Sequence, residues 1–120
     1  MHTVVNLKHK FAAFSDHWHP RLAGELNGQH VRLVKFQGEF VWHAHAEEDE
    51  MFFVVDGEFE MRFRDRVEHV RAGEFIIVPR GVEHCPYAAR EVQVMLFEPA
   101  ATVNTGAVTE SRTRDSVPVV

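Results

Sequence analysis

The chain has 120 residues, 45% apolar and 26% charged, so it is one domain of ordinary soluble globular composition, able to bury a core without disulfide staples. A net charge of -5 with no basic stripe argues against nucleic acid as a partner, and no apolar run is long enough to span a bilayer. The N-terminal run lacks the apolar stretch of a signal peptide and the single Cys85 forbids an internal disulfide, so a reducing, cytoplasmic location is expected.

Residues 5–14 predict one short helix: Val5, Leu7, Phe11 and Phe14 recur near helical spacing, Asn6 suits the cap, and Ser15-Asp16 break it. Residues 1–19 are therefore expected to form an N-terminal helical arm. From about residue 20 the period changes to two. Val31–Phe36 and Phe40–His45 read as strands separated by Gln37-Gly38. Met51–Val55, Asp56-Gly57 and the alternating run Glu58–Arg64 read as a hairpin over 50–64 with a D-G turn, with Phe59, Met61 and Phe63 on one face. Phe75–Val78 follows Ala72-Gly73 and stops at Pro79-Arg80-Gly81. Val92, Val94 and Leu96 alternate with Glu91, Gln93 and Met95 in a further strand. Many short strands with regular turn signals predict a sandwich or barrel over residues 20–100. The Thr-rich tail, 101–120, either lies along the barrel or is partly disordered.

The chemistry-bearing residues concentrate in two places. His43 and His45, at i and i+2 of an extended run, point to the same side of a sheet. A bare H-x-H is as readily two half-exposed histidines, but Glu50 and His84 change its context. Glu50 shares the strand face of Phe52 and Val54, where an unpaired carboxylate is costly and a metal cation would satisfy it. His84 follows the tight P-R-G turn. Three imidazoles and a carboxylate fill four octahedral positions and leave two open, whereas a structural zinc site is usually tetrahedral, closed and Cys-rich.

The other candidates carry less signal. Glu47, Glu48 and Asp49 read as a solvated turn, and Cys85 as a small buried hydrophobe facing away from His84. Tyr87 and Arg80 lie near the presumed site or on its rim. His2, His9, His17, His19, His30 and His69 carry no metal-ligand spacing. Phe59, Met61, Phe63, Val92, Val94 and Leu96 are expected to face inward, which favours a small, weakly polar substrate. A phosphorylated sugar would want an inward cation, and Lys35 is the strand candidate for one.

These residues resemble the two motifs of the cupin superfamily, small single-domain type. The first motif runs from Gly38 through His43, His45 and Glu50 to Gly57, and the second from Gly73 through Pro79, Gly81 and His84 to Ala88. Four residues, not five, separate Gly38 from His43, and Ala88 stands where the pattern has Asn; neither departure touches a ligand position. The run E-P-A-A-T-V-N-T-G also resembles a segment of small cupins labelled mannose-6-phosphate isomerase-like.

The resemblance implies an all-β fold, a double-stranded β-helix or jelly-roll barrel. In it His43, His45, Glu50 and His84 would bind one divalent transition metal: iron, manganese, zinc, nickel, cobalt or copper. It further implies a homodimer with a small-molecule ligand. The expected function is a metalloenzyme acting on a small oxygen-bearing substrate, of dioxygenase or isomerase/lyase type. The alternative is a non-catalytic ligand-binding or metal-stabilised module.

Overall fold

Asn27 and Gly28 both take positive φ, 51° and 77°, and close a two-residue turn between β1 (Arg21–Leu26) and β2 (Gln29–Glu39) in the computed structural model, which describes residues 3–120. Asn-Gly is the dipeptide that such a turn favours, because both central residues must be left-handed. Met1 and His2 fall outside the described residues.

The N-terminal helix α1 spans Leu7–Phe11, shorter than the 5–14 expected, and Asn6 caps it by accepting a bond from the His9 amide at 3.0 Å. The spacing signal came from burial rather than from helix. Phe11 and Phe14 both pack on Leu33 of β2, although Phe14 lies beyond the helix, and Val5 stays exposed.

Five more strands complete the fold: β3 (Glu50–Asp56), β4 (Glu58–Arg62), β5 (Val67–Arg71), β6 (Phe75–Val78) and the long β7 (Cys85–Pro99). All ladders between strands are antiparallel. The order along one path is β1-β2-β7-β3-β6, while β4 pairs with β5 and with the first residues of β7. This is the arrangement of a double-stranded β-helix, with β7 shared by both layers.

Two expectations are corrected. Val31–Phe36 and Phe40–His45 are not two strands. β2 continues through Gly38, whose φ of 83° accompanies a register shift between Phe36 and Gly38. Beyond it, residues 40–45 run as a connection held to the sheet by the Phe40 amide donating to the Pro86 carbonyl at 3.0 Å and by a bridge between His43 and His84. Nor does Asp56-Gly57 close a hairpin. β3 pairs with β6 and β7, and β4 with β5 and β7, so the two make no ladder with each other. Phe52 and Val54 of β3 and Phe59 and Met61 of β4 all bury into one core, so the chain turns a corner between layers instead of folding back in plane.

Inward positions follow the alternation of the sequence: Val34 and Phe36, Phe52 and Val54, Phe59 and Met61, Val92, Val94 and Leu96 form the core, with Phe63 buried just past β4. The outer sheet face is also apolar. Val31, Phe97, Met51 and Ile77 align in one cross-strand row, and Leu33, Met95, Phe53 and Phe75 in the next. Helix α1 and Phe14 cover the Leu33 end, while Phe75 and Ile77 stay 58% and 54% exposed.

The tail is ordered against the barrel. Its last residues extend the edge of β1, with Leu22 donating to the Pro118 carbonyl at 2.8 Å and Val120 donating to Leu22 at 3.0 Å.

Gly57 tests the corner. Its φ is 90°, and a Cβ there would lie 3.2 Å from the Glu91 carbonyl oxygen and the Val92 Cα. Gly57→Ala should lower stability by about 2 kcal/mol in denaturant unfolding; an unchanged midpoint would show that the corner relaxes freely.

Candidate metal centre

His43 and His84 come together because their backbones pair. The His43 amide donates to the His84 carbonyl at 3.1 Å, and the His84 amide to His43 at 2.9 Å. The Gly81 amide donates to the His45 carbonyl at 2.8 Å, which ties the P-R-G turn to the H-x-H segment. Glu50 opens β3 opposite Val78. The structure thus brings all four expected residues together: one ligating atom from each of His43, His45, Glu50 and His84 lies within 4.8 Å of every other, and all four side chains are buried.

The rings are oriented from behind. His43 Nδ1 sits 2.9 Å from the Val41 carbonyl, and His84 Nδ1 is 2.9 Å from that of Val82. A carbonyl accepts only from N–H, so each Nδ1 carries a proton, and in a neutral ring it is Nε2 that keeps the lone pair. His84 Nε2, His45 Nε2 and Glu50 Oε1 are buried without a hydrogen-bond partner. Glu50 Oε1 lies 3.2 Å from His45 Nε2 and 3.7 Å from His84 Nε2. Buried polar atoms left unpaired are costly, and nitrogen and carboxylate donors this close suit a divalent cation ligated at about 2.0–2.2 Å. The donor set fits a metal.

Electrostatics separate the four residues. Burial, then the neighbouring His84, push His43 down to about 4. Burial would lower His45 too, but the Glu50 carboxylate beside it reverses the shift and raises it. Burial alone would raise Glu50, yet His45, His84 and Glu98 together hold it well below the usual carboxylate range.

In front of the cluster lies a cavity of about 30 Å³, walled by Trp18, Phe36, Phe40, Phe52 and Leu96 and bordered by Asn104. Its cover comes from both ends of the chain. Trp18 adopts φ 61° and stacks on Phe36 and Phe40 at centroid distances of 4.4 and 4.5 Å. Across it, Asn104 Nδ2 donates to the Arg112 carbonyl at 2.8 Å, and Arg112 lies over the Phe40 ring. Gly106 passes so close to the His43–His45 segment that a Cβ there would lie 2.1 Å from the Ala44 carbonyl oxygen.

Other candidates fall elsewhere. Arg80 is exposed and binds Asp49 of the acidic turn, its amide donating to Oδ1 at 2.9 Å. Tyr87 lies under the Arg62 guanidinium, 4.2 Å from it. Cys85 is fully buried, and burial raises its thiol. Lys35 shares the outward parity of Leu33 and donates to the Phe14 carbonyl, so it is not the inward cation.

That place belongs to Arg32, which sequence reasoning missed together with its partner Glu98. Their side chains are 1% exposed and meet at 2.7 Å. The signal was parity: two residues back from Val34 gives Arg32, and two on from Leu96 gives Glu98. Burial, then the Glu50 charge, push Glu98 well above the usual carboxylate range despite Arg32.

The family profile described as "Cupin domain" matches residues 30–98. A cupin-2 domain containing protein from Shewanella frigidimarina is 46% identical, superposes with a TM-score of 0.79, and is matched over 80% of this chain and 94% of that one. Protein NMB1881 from Neisseria meningitidis is 31% identical at a TM-score of 0.75, over 82% of this chain and 100% of its own. Uncharacterized protein YdbB of Bacillus subtilis is 37% identical over 79 residues, 65% of this chain; the match spans 64% of that relative's length.

The depressed His43 sets a pH dependence. Unfolded histidine titrates near 6.5 and folded His43 at about 4, so as pH falls the unfolded state takes up the proton first. Stability of the metal-free protein should therefore be lost between about pH 6.5 and 4, His43 contributing up to about 3 kcal/mol of the loss. His45, raised, acts with the opposite sign. Denaturant unfolding across this range should show a shallower slope for His43→Gln; equal slopes would refute the assignment.

Proposed function

The chain belongs to the cupin family, and on that premise we propose that it is a metal-dependent enzyme acting on a small oxygen-bearing molecule beside His43, His45, Glu50 and His84. The observation that supports this reading is a buried set of unpartnered imidazole nitrogens and a carboxylate oxygen facing a small apolar chamber. When bound, a divalent transition metal supplies Lewis acidity and, if it is iron, oxygen binding.

The chain's own residues narrow the reaction. Among the described residues His43 and Glu50 are the only titratable groups lining the chamber, and both belong to the cluster. An isomerisation needs a separate base within reach of the substrate proton. An oxygen-dependent reaction needs room for a small apolar gas and a wall that excludes water, which Trp18, Phe36, Phe40, Phe52 and Leu96 supply. We therefore place dioxygenase-type chemistry ahead of the isomerase or lyase type.

One observation favours the second reading, a non-catalytic or metal-stabilised module. The chamber's 30 Å³ is far below the roughly 300–1,000 Å³ of sites for drug-sized ligands. Turnover of anything larger than a few atoms requires Trp18 or the 102–112 segment to move.

Protein purified without added metal should carry about one equivalent of a transition metal by elemental analysis and consume oxygen with small diketones or phenols. His43→Ala and His84→Ala should lose most of the metal, and Glu50→Gln less. Metal without oxygen uptake favours the module; full metal in the histidine variants removes them as ligands.

A second copy of the chain is the partner we assign to the outer sheet face. Two matched apolar cross-strand rows, ending in exposed Phe75 and Ile77, suit isologous packing around a two-fold axis. Sedimentation should show a dimer that Phe75→Glu with Ile77→Glu converts to monomer; an unchanged dimer would place the interface elsewhere.

A further inference from the structure

Arg32 on β2 and Glu98 on β7 line up diagonally across the β2·β7 ladder, where Arg32 opposes Leu96 and His30 opposes Glu98. The guanidinium makes four hydrogen bonds. It donates to Glu98 Oε2 at 2.7 Å, to the Thr102 and Ala100 carbonyls at 2.8 and 2.9 Å, and to His30 Nδ1 at 3.1 Å. Four acceptors from three segments leave it no freedom to swing.

Glu98 is held less symmetrically. Oε2 is on Arg32, Oε1 is buried with no hydrogen-bond partner, and Glu98 follows Phe97, which opposes Met51, so it stands across from the buried Glu50 in the β3·β7 register. Stability alone does not account for this. Desolvating a buried ion pair costs about as much as its attraction returns, and a well-packed apolar pair of the same volume serves as well. A carboxyl with an unpaired oxygen beside a second carboxyl adds further cost. The placement is useful if Glu50 must be held in one orientation for a cation on its other side.

We propose that Arg32 and Glu98 form a positioning pair that fixes the Glu50 carboxyl in its orientation toward His43, His45 and His84. This rests on the metal-binding reading above. Partners behind a ligand that set its orientation typically change metal affinity about 10- to 100-fold when removed. The pair lies outside both cupin motifs, and neither residue lines the chamber that Glu50 borders.

Cobalt(II) is the probe, titrated into metal-free protein against a competing chelator and read by its ligand-field absorption. Glu98→Ala should weaken Co²⁺ binding about 10- to 100-fold and shift the absorption bands. Glu98→Gln keeps the side-chain length and a hydrogen-bonding group against Glu50, and should recover most of that loss. If Glu98→Ala fails to fold, the double variant Arg32→Met, Glu98→Met removes both charges without stranding either, and should fold yet show the weakened affinity and altered spectrum. A folded variant with wild-type Co²⁺ affinity and spectrum, changed only in its thermal midpoint, overturns the proposal. Wild-type protein that binds no Co²⁺ overturns the metal reading first, a separate failure visible before any variant is made.

Discussion

Charge balance inside the barrel mouth is the constraint on which the rest depends. Two carboxyls, Glu50 and Glu98, are buried beside three imidazoles, and Arg32 is the one fixed cation among them. Uncompensated buried charge is far costlier than the whole net stability of a domain this size tolerates. Glu98, held well above the usual carboxylate range, meets part of this demand by taking up a proton, and the Glu50 charge faces the imidazoles. The backbone gathers these groups in one place. The reciprocal His43–His84 hydrogen bonds hold the two histidine-bearing segments side by side, and carbonyls behind two of the rings turn their Nε2 atoms inward.

Much of this was legible in the sequence because it depends on parity. Alternation along Glu58–Arg62 and Val92–Leu96 gave the buried faces directly, and the spacing of the H-x-H pair, Glu50 and His84 gave the cluster. What failed was pairing. A D-G dipeptide signals a tight reversal, but whether the chain reverses in plane or crosses to another layer depends on what β7 offers both strands. That choice is made by contacts between residues distant in sequence. Helix length failed for a related reason. Phe11 and Phe14 are apolar because they cover Leu33, and that requirement persists past the end of the helix. Arg32 and Glu98 were passed over because a charged residue on an inward parity reads as an exception until its partner is found across the sheet.

The two chain ends are integral to the site. The arm supplies Trp18, and the tail supplies Asn104, Gly106 and Arg112 around the same opening. Arg32 joins the tail to β7. The guanidinium that holds Glu98 also holds the Ala100 and Thr102 carbonyls, where the tail departs from β7. The root of the tail and Glu98 thus share one side chain as their anchor.

Trp18 carries a backbone conformation that costs a non-glycine residue about 1–3 kcal/mol, offset by two aromatic stacks of about 0.5–1.5 kcal/mol each and by its indole N–H donating to the Gln37 carbonyl at 3.0 Å. The chain's other tryptophan, Trp42, sits half-buried beneath the Arg64 guanidinium. Replacing Trp42 leaves a single water-shielded fluorophore in the chamber wall. Its emission is an intrinsic optical gauge: a quenching ion or an arriving guest molecule changes the light before any chemistry is measured.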